Sequence, residues 1–113
     1  QVNISHEPSK SGVSLKQLPK LAEQVAALPR LNLRGLMAIP LATNDSVTQR
    51  RMFAALREAF SALNDIGIIM DTLSMGMSND LESAIAEGAT IVRVGTAIFG
   101  PRSDSLKKTN ISV

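Results

Sequence analysis

Cysteine, tryptophan and tyrosine are all absent from the 113 residues. Without Cys there is no disulfide, no thiolate nucleophile and no Cys-based zinc site. The single His, His6, cannot build a His-rich metal centre, so no metal site is expected. Only three aromatic residues occur, Phe53, Phe60 and Phe99, too few for a stacking platform along single-stranded nucleic acid. The net charge of +2 is too small to argue for a nucleic-acid partner. No apolar run approaches the roughly 20 residues of a membrane span, and no signal peptide is visible. A cytoplasmic protein with no membrane partner is the expectation. Hydrophobic residues, at 44%, suffice for a core, and 19% charged residues are too few and too mixed for disorder. The length admits one domain at most.

The chain alternates strand-like and helix-like segments. Gln1–Ser5 reads as a short strand, beginning without Met as if in mid-strand, which suggests a fragment of a longer chain. Pro8, Ser9, Ser11 and Gly12 make a loop. Leu18, Leu21, Val25 and Leu28 recur at helical spacing, giving a helix over roughly 15–28. Pro19 fits only a first turn, so the helix can start later than 15. Leu33–Ile39 is a second strand. Ser46 and Gln49 read as a capping box ahead of a longer helix with a Phe53, Leu56, Phe60, Leu63 stripe, ended by Gly67. Ile68–Ser74 is a third strand and Met75–Asp80 the loop after it. A short helix around Leu81, Ala84 and Ile85 closes at Gly88. Thr90–Val94 is the fourth strand. Such alternation implies an α/β fold with parallel strands and crossover helices. A doubly wound sheet and half of a (β/α)8 barrel fit this pattern equally, since a full barrel takes about 250 residues.

Two stretches carry candidate chemistry. In Ser74–Asp80, Gly76 makes a turn and Ser78-Asn79-Asp80 opens a helix, where free N–H groups and the positive dipole end hold anions. The same residues also fit an ordinary N-cap. In Ile91–Thr96, strand alternation puts Arg93 on the face opposite Val92 and Val94. A cation in an apolar strand needs a carboxylate, a phosphate or a ring nitrogen, or else a structural ion pair. Gly95 allows close approach of a ligand to the backbone, and Thr96 offers an N–H and a hydroxyl. Both stretches follow strands, so both belong to the C-terminal edge of the sheet, where barrels bind phosphate after strands seven and eight.

Met75-Gly76-Met77-Ser78-Asn79-Asp80, Ala84-Ile85-Ala86-Glu87-Gly88 and Val92–Gly100 resemble the signature of the pyridoxal phosphate (PLP) homeostasis protein family. Lys10-Ser11-Gly12 and Arg34–Pro40 match it as well. That family is similar to the barrel domain of alanine racemase, the fold type III PLP-binding TIM barrel. The resemblance implies that residues 1–102 form the C-terminal half of such a barrel, strands 5–8, followed by a polar tail at 103–113. It implies PLP as cofactor. Ser78 would bind the phosphate through its hydroxyl, with Met77 at the same turn. Gly95 and Thr96 would bind it through backbone amides, and Arg93 would face the pyridine nitrogen. Arg does not give up its proton, so that nitrogen would stay unprotonated, which suits holding the cofactor better than carbanion chemistry. The family's Schiff-base Lys sits on an earlier strand, N-terminal to this segment, and the second-base Tyr of alanine racemases is absent. No catalytic residue is therefore assigned within this chain, and no reaction is assigned.

The implied function is PLP binding in cofactor homeostasis or as a carrier, with this chain supplying the phosphate and pyridine-nitrogen half of the site. The alternatives are a fold type III amino-acid racemase and a phosphate-binding module unrelated to PLP. Lys10 is the one other candidate aldehyde partner. Met37 reads as core, Asn3 as either interior-facing or a satisfied core amide, and His6 as a solvated loop residue. Arg50, Arg51 and Arg57 read as the wet face of the second helix. Inorganic phosphate or sulfate would compete for the same site. Open strand edges at Gln1–Ser5 and Thr90–Val94 imply pairing with the N-terminal half of the barrel or with a second copy.

Overall fold

In a computed structural model, residues 1–8 and 11–101 of the chain are described. Lys10 and the polar tail at 103–113 lie outside them. Among the described residues four helices and three strands alternate: α1 (Leu18–Ala26), β1 (Gly35–Met37), α2 (Ser46–Asp65), β2 (Thr72–Met77), α3 (Leu81–Ala86), β3 (Ile91–Arg93) and α4 (Thr96–Phe99). The strands form one parallel sheet in the order β1-β2-β3. Parallel neighbours joined by helices are what the alternating periodicity predicts.

The first expected strand is only partly realised. Val2 makes an isolated parallel bridge with Val13, and its N–H donates to the Met37 carbonyl at 2.7 Å. Ser5 Oγ accepts from the Leu41 N–H at 2.7 Å, which holds this segment along β1. A turn at Ile4–Ser5 and His6 at φ 56° end the extended run. Three strands and a bridge therefore stand where four strands are expected. The loop expected at Met75–Met77 is instead the end of β2, and Thr96–Phe99 after the last strand forms a single helical turn.

The core lies between the sheet and α1 and α2. Phe53 and Leu56 on α2 are fully buried, as is Met75 on β2. Burying each such side chain stabilises the fold by about 1.5–3 kcal/mol. Pro19 falls in the first turn of α1, where its absent N–H costs nothing, and Ser14 accepts the Gln17 N–H just ahead of it. Leu36 and Ala38 are buried, while Met37 and Ile39, which alternate with them, are half-buried, so the core face and the other face separate along β1 and the residues after it.

Two glycines set the packing distances. A Cβ on Gly35 would lie 1.8 Å from the Thr72 carbonyl oxygen, so the β1–β2 pairing needs a residue without one. Gly76 has φ +105°, and its Cβ would lie 2.6 Å from that of Ala84 on α3. α3 thus sits directly on the end of β2.

The expected capping box at α2 does not form. Asp45 is the N-cap residue, Ser46 is the first helical residue, and the Gln49 side chain turns inward. All three arginines of α2 are exposed, as expected of its wet face, but two of them also hold an ion pair. Arg50 and Arg57 grip the buried carboxylate of Glu87 at 2.7 and 3.4 Å, tying α2 to the end of α3. Sequence pattern sees a polar stripe and the stop at Gly88; it does not see that Glu87 points back at that stripe.

Candidate functional site

The C-terminal ends of β2 and β3 lie side by side, with Met77 paired to Arg93 across a break in register after Ser74. Gly76 with positive φ makes that break, which releases the chain into the turn Ser78-Asn79-Asp80. Asp80 fixes the turn: its Oδ1 accepts the Met77 N–H at 2.7 Å. Ser78 then faces the loop after β3. Its Oγ accepts from the Gly95 N–H at 3.2 Å and from the Ala97 N–H at 3.1 Å. Two amide donors separated by one residue converge on a single oxygen, with Thr96 between them. A cleft of about 670 Å³ opens over this point, lined by Met77, Ser78, Gly95 and Thr96 together with Ile39 and Phe99.

Four of the five residues expected to hold the cofactor therefore line one cleft. Arg93 is half-buried and approaches the cleft from beside it. Val92 lies 3.2 Å from where a Gly76 Cβ would stand, next to α3, so Arg93 points to the opposite face of the sheet. Its Nη2 donates to the carbonyl of Ala38, itself in the cleft wall, at a long 3.4 Å. Its Nε is buried and has no hydrogen-bond partner among the described residues. A guanidinium so weakly satisfied is unusual, since burying an unpaired donor is costly.

The glycines sharpen this picture. Gly95 has φ −116°, which any residue adopts, and a Cβ there would meet nothing within 4 Å among the described residues. The fold requires glycine at 76 and not at 95.

Other expectations resolve as follows. His6 is an exposed loop residue. Asn3 is half-buried, and its amide donates to the Glu7 carbonyl at 2.7 Å, a local turn. Met37 is half-buried on the less covered face. No group of three or more His, Cys, Asp or Glu side chains that could hold a metal occurs among the described residues. No helix among them is long and apolar enough to cross a membrane.

Sequence reasoning gave Gln49 a capping role and Asn79 a place at the helix start, and missed the contact they share. Gln49 Nε2 donates to the Thr43 carbonyl at 2.7 Å, and Asn79 Nδ2 donates to the same oxygen at 3.1 Å. The sequence signal for an inward-facing Gln49 is its place four residues before Phe53, in the otherwise apolar register of α2.

The alanine racemase N-terminal domain family matches residues 1–103. The chain is 59% identical over 102 residues to the pyridoxal phosphate homeostasis protein of Pseudomonas aeruginosa, covering 90% of this chain and 43% of that protein. It is 53% identical over 107 residues to the protein of that name from Escherichia coli, covering 95% of this chain and 46% of the other. The chain thus spans less than half the length of these relatives. Among solved structures it is similar to PipY of Synechococcus elongatus with PLP bound: TM-score 0.74, 33% identity, 88% of this chain and 47% of that one. An unknown protein from Bifidobacterium adolescentis gives a TM-score of 0.80 at 43% identity, covering 87% of this chain and 40% of the other.

Proposed function

The chain belongs to the alanine racemase N-terminal domain family, and from that premise we propose that it binds PLP, by its phosphate at the Ser78 turn and by its ring nitrogen at Arg93. The convergence of the Gly95 and Ala97 N–H groups on Ser78 Oγ carries the proposal. Both amides end on the Ser78 hydroxyl oxygen and not on a carboxylate, so a phosphate oxygen can accept from that hydroxyl and replace its oxygen as the amides' acceptor. Gly95 supports it too: with no steric need for glycine from its own neighbours, the position suits close approach of a ligand to the backbone. The unpartnered Nε of Arg93 suits an acceptor that the chain itself does not offer.

In this reading Ser78, Gly95 and Thr96 bind the phosphate, with Met77 beside them at the mouth of the cleft. PLP, when bound, brings an aldehyde that captures amines and a pyridine ring that can take up electrons. Arg93 keeps its proton and donates it as a hydrogen bond, so the ring nitrogen stays neutral and the ring is a weak electron sink. That favours holding the cofactor, in keeping with the homeostasis in the relatives' name, over racemisation. The chain also supplies no Tyr to act as a second base.

The sheet needs company. β3 is an edge strand, and the face bearing Arg93 and exposed Ile91 is poorly covered. Other strands of a barrel would close it, from an N-terminal half carrying the family's Lys or from a second copy. The chain is then the C-terminal half, strands 5–8. A stable, cooperative monomer of about 12.0 kDa in light scattering would overturn the half-barrel.

The direct test is titration of the protein with inorganic phosphate, followed by the amide resonances of Gly95, Thr96 and Ala97. These three should shift together and saturate, and PLP should displace phosphate. Unmoved amides at millimolar phosphate would overturn the assignment.

A further inference from the structure

We infer that Gln49, on α2, is a positioning residue for the Ser78 turn. The inference deepens the phosphate reading above and rests on it for its ligand. Gln49 is 5% exposed, with both ends of its amide engaged. Its Oε1 accepts from the buried Ser83 hydroxyl at 2.7 Å, and its Nε2 donates to the Thr43 carbonyl at 2.7 Å. Asn79 donates to that same carbonyl, and Asn79 is the neighbour of Ser78. One side chain thus joins three pieces: α3 through Ser83, the loop after β1 through Thr43, and, through the shared carbonyl, the turn that carries Ser78.

The back of that turn shows why such a tie matters. A polar cavity of about 330 Å³, lined by Ser46, Gln49 and Ser78 among others, lies behind it. Apolar packing does not fill this space, so hydrogen bonds must set the position of the turn. Ser78 Oγ must sit within about 3 Å of two amides at once, and displacement by 1 Å breaks both contacts. A buried Gln with every polar atom satisfied is a rigid strut. The alternative, a purely structural amide bridging α2 and α3, involves Ser83 alone and does not need the Thr43 arm.

Amide hydrogen exchange separates the two. Gln49→Met keeps the length and removes both hydrogen bonds. Gln49→Glu keeps an acceptor for Ser83 and loses the donor to Thr43. In both variants the Gly95 and Ala97 amides should exchange about tenfold faster or more, as for a local opening. The Thr72 and Ala38 amides, in the sheet, should hold their wild-type rates. Inorganic phosphate should bind about tenfold more weakly in both. Asn79→Ala, at an exposed position that will not unfold the protein, should loosen the same two amides. Wild-type exchange at Gly95 and Ala97 in Gln49→Met, or equal acceleration at every amide, overturns the inference. Should Gln49→Met fail to fold, Asn79→Ala and Gln49→Glu decide it by the same readout. The exchange arm needs no ligand, so it is read even if wild-type protein fails to bind phosphate, which would sink only the reading on which the ligand rests.

Discussion

The two ends of the sheet carry one arginine each on the strands' axes, and the two are treated in opposite ways. At the N-terminal end Arg34 meets Asp71 in a bidentate pair, with Nε and Nη2 at 3.0 and 2.8 Å from the two carboxylate oxygens. Thr72 adds its hydroxyl to the same carboxylate at 2.8 Å. Both partners are well exposed, so water could have satisfied them anyway. At the C-terminal end Arg93 is half-buried, its one bond is long, and its Nε is unpartnered among the described residues. The half-buried charge is short of partners where burial makes them matter most, and the exposed charge is fully paired where pairing matters least.

The glycines give the largest test of that contrast. Gly76→Ala should cost about 2–4 kcal/mol in urea unfolding, because it combines a left-handed φ with a clash against Ala84 on backbone-anchored atoms. Gly95→Ala should change stability by less than about 0.5 kcal/mol, yet weaken phosphate binding by about tenfold or more as its methyl enters the anion's place. If Gly95→Ala binds phosphate normally, the ligand end loses the feature that distinguishes it.

The next effect divides the ligand end itself. Ser78→Ala and Arg93→Ala should each weaken PLP binding by about 1.5–3 kcal/mol, the worth of one charge-assisted hydrogen bond. Only Ser78→Ala should also weaken inorganic phosphate. Calorimetric titration with both ligands reads the split, and equal loss of phosphate affinity in the two variants would remove Arg93 from the ring nitrogen.

Much of this was legible in the sequence, and the rest was not for identifiable reasons. Helical spacing located α1, α2 and α3, and alternation around Val92 put Arg93 on the proper face. Ser78 and Gly95 were singled out because each follows a strand, and parallel strands bring all such residues to one edge. Gly76 misled: a glycine after Met75 reads as a turn, but here it continues β2 with its φ reversed to admit Ala84. Gln1–Ser5 misled because a short apolar run says nothing of pairing, and this one finds only a bridge. Gln49 and Glu87 were invisible in their roles, since each depends on partners 34 and 37 residues away. Long-range polar contacts leave no period in a sequence.

A smaller effect concerns the layer between the two ends. Glu87→Gln should cost about 1–2 kcal/mol, because the carboxylate is buried while Arg50 and Arg57 remain about half exposed and can turn to water. Salt at about 1 M should narrow the gap to wild type, since it screens the exposed arginines. A salt-independent gap would show packing, not charge, at work there.

The smallest effect belongs to the fully paired end. The Arg34 guanidinium, with help from the Thr72 hydroxyl, lowers the Asp71 carboxyl to about 2, while Asp71 in turn raises Arg34 above its ordinary value. An unfolded Asp titrates near about 3.9. The folded value is the lower one, so below about 3.9 the unfolded chain binds the extra proton first. The pair's contribution is therefore fully present above about pH 4 and is lost as pH falls toward about 2. The acid limb of wild type should be steeper in that window than that of Asp71→Asn, in which Asp45, also lowered, still titrates, and the two curves should run parallel above it. Both groups are exposed, so the limb should be shallow and should shrink in high salt. Thermal melts at stepped pH measure it. An acid limb in Asp71→Asn as steep as in wild type would mean that this well-made pair contributes nothing, and that ideal geometry at an exposed sheet end is no guide to stability at all.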